Sequence, residues 1–107
     1  MVMARQMLLT QANRRDLQNV GSQDGLGTDA IACVRYFWGS SAVFYVTEFD
    51  GEDTLFGWMP TSYGATNGEW CYQSLSAFEA NASHRRFGGV ERDMHFTPCR
   101  VSEVREF

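Results

Sequence analysis

The chain contains no lysine: all nine of its basic residues are arginine. That absence removes Schiff-base catalysis, the P-loop lysine, the lysine of restriction-type nuclease motifs and the lysine of a kinase nucleotide site. Local metal-ligand spacing is missing too. The three cysteines, Cys33, Cys71 and Cys99, are far apart and form no C-x-x-C pair. Free, buried thiols are therefore expected rather than a zinc site shared with His84 or His95. No apolar run approaches the ~20 residues that cross a bilayer, and Met7-Leu8-Leu9 is too short for a secretory signal. A cytoplasmic protein without membrane contact is the expectation. There is no G-x-S-x-G nucleophile elbow, no glycine fingerprint opening a helix, and no internal repeat.

What is present is enough for one core. In 107 residues, 44% are hydrophobic and 14% aromatic, which predicts a single domain over 1–107, with residues 1–6 a candidate disordered tail. The formal net charge of -4 is unevenly spread. Between residues 16 and 84, nine acids face Arg35 alone, whereas residues 1–15 carry only arginines. A negative field over the middle of the chain disfavours direct nucleic-acid binding, which needs clustered basic residues. The sequence offers one candidate basic patch, Arg14, Arg15, Arg85 and Arg86.

Periodicity and turn chemistry outline the elements. Thr10 is a candidate N-cap for a helix through Gln18, ended by Gly21, Gly25 and Gly27. Ala30–Trp38 and Ala42–Asp50 read as a hairpin about Gly39-Ser40-Ser41, and Thr54–Pro60 returns as a third strand after Asp50-Gly51. Strict alternation puts Phe44, Val46, Glu48 and Asp50 on one face of the second strand. After a loop over Thr61–Gly68, Glu69–Ser74 reads as a fourth strand. Ser76 and Glu79 suggest a capping box for a short helix, Arg92–Thr97 a last strand stopped by Pro98, and Val101–Phe107 a terminal helical turn. The fold class expected is α+β: a largely antiparallel sheet of about five strands with two or three short helices.

The densest chemistry lies at Glu48, Asp50, Glu52 and Asp53, four carboxylates within one predicted turn. Like charges held this close suit a solvated hairpin tip, a hard-cation site or a surface for a basic partner. Asp24, in a glycine-rich loop, and Trp58, a candidate interface anchor, complete the expected binding residues: Glu48, Asp50, Glu52, Asp53, Asp24 and Trp58. A hydrolytic alternative combines Asp24, Asp93 and His95 with Ser22, or uses Glu48, Asp50 and Asp53 with a divalent metal. Aromatic residues from Tyr36 to Tyr72 form a stacking platform for single strands only in basic surroundings, and theirs are acidic.

The order of these pieces resembles a known family, the small bacterial and plasmid-borne "domain of unknown function 2958". The matching segments are Leu8-Leu9-Thr10 before a helix, Ser22-Gln23-Asp24-Gly25, Tyr45 to Asp53 with Phe56-Gly57, Ser74-Leu75-Ser76, and Glu91-Arg92-Asp93 leading to Phe96 and Pro98. The resemblance implies an accessory protein of plasmids, phages or other mobile elements, and no established activity or cofactor. The function expected is a non-catalytic protein-interaction module whose acidic surface engages a basic, nucleic-acid-binding protein partner, with an anti-CRISPR or antirestriction inhibitor as one form. The alternative is the metal-dependent hydrolase or nuclease built on Glu48, Asp50 and Asp53.

Overall fold

Thr10 caps the first helix as its chemistry predicts. In the computed structural model, which describes residues 7–39, 42–60, 68–82 and 89–104, Thr10 Oγ1 accepts the Asn13 N–H at 3.0 Å. Asn13 Oδ1 accepts the Thr10 N–H at 3.0 Å in return. Helix α1 spans Gln11–Val20 and stops at Gly21, whose φ of 61° suits glycine and whose N–H donates to the Leu17 carbonyl.

Among the described residues seven strands follow: β1 (Ile31–Ala32), β2 (Val34–Trp38), β3 (Ala42–Phe49), β4 (Thr54–Met59), β5 (Glu69–Ser74), β6 (Glu91–Arg92) and β7 (Cys99–Arg100), with helix α2 (Leu75–Ala82) after β5. Five of them form one antiparallel sheet in the order β5-β4-β3-β2-β6, while β1 and β7 pair in a separate ribbon. The result is a single α+β domain with a five-stranded antiparallel sheet and two helices, as the sequence pattern indicates.

Three details differ from the sequence reading. The run Ala30–Trp38 is two strands, because the chain leaves the main sheet at Cys33 and its first part turns to pair with β7. The strand expected over Arg92–Thr97 ends at Arg92. Asp93 Oδ1 takes the His95 N–H at 2.9 Å and folds the chain into a turn, so extended structure resumes only after Pro98. Helix α2 is capped by Ser74, not Ser76, with the Ala77 N–H donating to Ser74 Oγ at 3.2 Å. The expected loop at Thr61–Gly68 (apart from Gly68), the turn residues Ser40 and Ser41, the 1–6 tail, and Arg85 and Arg86 of the basic patch lie outside the described residues.

The sheet is buried on both sides, but unequally. One face packs under α1, α2 and the Leu8-Leu9 segment, with Val34, Tyr36, Phe44, Val46 and Leu55 in its core. Phe78 of α2 sits edge-on to Tyr36 at 5.3 Å and to Phe44 at 5.9 Å. The Tyr36 hydroxyl donates to the Leu8 carbonyl at 2.5 Å, and burial raises its pKa. On the other face, Val101 and Val104 close over Ala32, Val43, Tyr45 and Trp58. That cover does not reach the outer part of β4 and β5, where Tyr72 is 72% exposed. Cys33 is buried, and desolvation, helped by Asp16, pushes its thiol up to about 11; burial also raises Cys71 and Cys99. All three are free thiols, but only Cys33 is buried as expected, Cys71 and Cys99 being half-buried. Among the described residues no helix is long and apolar enough to cross a membrane.

Candidate binding site

A bulge in β3 decides which way the acidic segment points. Val46 pairs with Gly57, but the next pair is Glu48 with Phe56, so Thr47 is an extra residue in the ladder. Past it the alternation inverts. Glu48 therefore joins the face of Tyr45 and Trp58, and Phe49 turns to the helical side, where the Arg14 guanidinium lies 5.2 Å from its ring centroid. The strict alternation expected from the sequence is corrected here: Glu48 does not share a face with Phe44 and Val46.

The bulge is held by a residue with no obvious signal in the sequence, Gln23. Its side chain is buried, with 6% exposure. Nε2 donates to the Thr47 carbonyl at 2.7 Å and to the Ile31 carbonyl at 2.9 Å, while Oε1 accepts the Ile31 N–H at 2.7 Å. A primary amide can satisfy two acceptors and one donor at once, which no hydroxyl or carboxylate can do. The Gln23 N–H then donates to Glu48 Oε2 at 3.2 Å. One residue thus ties the glycine-rich loop to β1 and β3 and orients Glu48. The only clue in the sequence is its place in Ser22-Gln23-Asp24-Gly25.

Between that loop and the open sheet face lies a hollow of about 390 Å³. Gln23, Asp24, Gly25, Thr47, Glu48, Phe56 and Trp70 are among the residues that line it. The two rings stack with centroids 5.6 Å apart and planes 11° from parallel, and Tyr72 extends the row, 4.8 Å from Phe56. Two carboxylates beside an aromatic wall favour a cation with an apolar or planar body.

The other expected site residues are placed elsewhere. Asp50 is exposed at the turn, and its Oδ1 accepts the N–H groups of Glu52, Asp53 and Thr54 at 2.8, 2.9 and 3.0 Å. These backbone donors hold its carboxyl below the usual range. Asp50 lines a separate hollow of about 350 Å³ with Arg14, Gln18, Phe49 and Gly51. Asp53 is an auxiliary cap for α2: Oδ2 accepts from Ser74 Oγ at 2.6 Å and Oδ1 from the Ser76 N–H at 2.7 Å. Glu52 is exposed on the turn. Trp58 is only 8% exposed and packs 5.2 Å from Trp70, so it supports the aromatic wall from within the core. Among the described residues no three His, Cys, Asp or Glu side chains are placed to hold a metal ion. Asp93 pairs with Arg35 at 3.2 Å and His95 is exposed on its turn, and neither lines the hollow with Asp24.

The Asp53 cap carries a pH signature. Its pKa is lowered, first by the Ser74 hydroxyl and then by Ser76, so its contribution to stability is complete above the ordinary carboxylate value of 3.8 and is lost as pH falls through the lower folded value. Asp53→Ala is therefore expected to lower Tm at neutral pH, with the gap to the unsubstituted protein narrowing below pH 3.8. Thermal melts from pH 2 to 7 check this, and a pH-independent gap would exclude the carboxylate as its source.

These features define a class: a lysine-free α+β domain whose incompletely covered sheet face carries an acidic and aromatic hollow. Over residues 7–104 the chain matches the model of the family described as "Protein of unknown function (DUF2958)", and it belongs to that family. Comparisons with curated proteins and with solved structures returned no match.

Proposed function

We propose that the domain is a non-catalytic binding module that captures a basic segment of a partner protein on the open face of its sheet. The observation that carries this reading is the meeting of Asp24 and Glu48 with Phe56 and Trp70 around one hollow that no described basic residue lines. Acidic and aromatic groups side by side supply the two terms that hold exposed cationic side chains, Coulomb attraction and ring-face contact. In the mobile-element setting that the family resemblance implies, the partner is a basic nucleic-acid-binding protein, and an anti-defence inhibitor is one form of such a module.

The test is titration calorimetry with an arginine-rich nonapeptide at two salt concentrations. Asp24→Asn and Glu48→Gln should each weaken binding by about 1 kcal/mol, roughly five-fold, with a smaller effect at high salt. Glu91→Gln, on β6 at the opposite edge of the sheet, should leave the affinity nearly unchanged. Equal losses from all three substitutions would mean that net charge, not this face, attracts the peptide.

A further inference from the structure

One arginine of this chain already shows what aromatic rings and a carboxylate hold in this fold. Arg35 lies 5.5 Å from the Phe37 ring centroid and 5.8 Å from that of Tyr45, and it pairs with Asp93 at 3.2 Å. Arg14 lies over Phe49 in the hollow that Asp50 also lines. The hollow beside Glu48 brings the same kinds of group together, with Phe56 and Trp70 as the rings and Glu48 and Asp24 as the carboxylates, but no arginine is among its described lining residues.

We propose that this hollow is the seat for one guanidinium group, an arginine side chain of the basic partner; the proposal rests on the binding-module reading above. Phe56 and Trp70, a near-parallel offset pair, line the hollow and supply its aromatic wall. Glu48 is oriented in advance, because its Oε2 is held by the Gln23 N–H, while its Oε1 has no partner among the described residues. A guanidinium brings both a stacking plane and a fork of donors, whereas an ammonium brings only a point charge, so the seat selects arginine over lysine. Because the buried amide of Gln23 locks the loop wall, little ordering remains to be done on binding.

The experiment uses N-acetylarginine methylamide and N-acetyllysine methylamide as probes, with the Trp70 indole N–H resonance as the reporter. The arginine probe should shift that resonance with a millimolar dissociation constant, about five-fold tighter than the lysine probe. Glu48→Gln should weaken it about ten-fold, since an amide still accepts the Gln23 N–H but lacks the charge. If that variant fails to fold, Asp24→Asn at the exposed rim provides the same comparison with a smaller loss. Equal binding of both probes, an unmoved Trp70 resonance, or indifference to either substitution would overturn the seat. Should the arginine-rich nonapeptide still bind in an Asp24- and Glu48-dependent way, the module stands and only the seat falls. Should the nonapeptide not bind at all, both are overturned.

Discussion

Gln23→Leu is expected to cost about 3 kcal/mol or more, lowering Tm by roughly 15 °C. The size follows from what the substitution leaves behind rather than from what it removes. Leucine is close in volume and apolar, so the site stays filled, but the Ile31 N–H, the Ile31 carbonyl and the Thr47 carbonyl all lose the partner that the amide supplies. A buried backbone group left unpaired costs about 1–3 kcal/mol, against a total stability of about 5–15 kcal/mol for a domain of this kind. Equilibrium urea denaturation measures the loss. Gln23→Glu separates hydrogen bonding from packing, because an ionised carboxylate would face two carbonyls with no proton to donate. That variant should regain stability as pH is lowered and the acid becomes a donor. A Gln23→Leu change under about 0.5 kcal/mol would mean that the 21–29 loop is not held through this side chain.

How much of this was legible in the sequence depended on whether the signal was local. Helix α1 and strand β5 were readable because Thr10 caps through its own third neighbour and because Trp70 and Tyr72 alternate with polar residues. The fold class and most of the central sheet followed from the same kind of pattern. The bulge was not readable, since an extra residue in β3 exists only relative to its partner β4, and strict alternation inside Tyr45–Phe49 gave the wrong face for Glu48. Asp53 looked like one of four equivalent acids, although its carboxylate bonds Ser74 and Ser76, more than twenty residues later. The β1–β7 ribbon joins strands of two residues, too short for any periodicity to register. Glu48 and Asp24 were legible as binding candidates by charge alone. Their aromatic wall was not, because the stacking of Phe56 on Trp70 depends on the β4–β5 register, which places Phe56 opposite Tyr72 and Trp58 opposite Trp70.

Gly57→Ala is expected to be at least as damaging, destabilising the domain by about 3 kcal/mol. The reason is not backbone freedom, since Gly57 has no positive φ. A Cβ there would land on the Tyr45 carbonyl oxygen, 2.8 Å from the carbonyl carbon and 3.0 Å from Val46 Cα. These are backbone atoms of the neighbouring central strand, so no rotamer change can make room, and glycine in a strand interior commonly marks such a close approach. The pair Val46–Gly57 immediately precedes the bulge, so the methyl group would force β3 and β4 apart where the ladder already slips by a residue. Two consequences follow from one displacement. Hydrogen exchange should accelerate at the β3 and β4 amides flanking residue 57, while α1 amides are affected less. Glu48 and Phe56, which face each other directly across the same two strands, should separate, so binding of the arginine probe should weaken even where the variant remains folded. Near-wild-type stability, within about 0.5 kcal/mol, would show that the two strands can spread at no great cost. The bulge would then be a tolerated irregularity rather than the feature that aims Glu48 at the hollow.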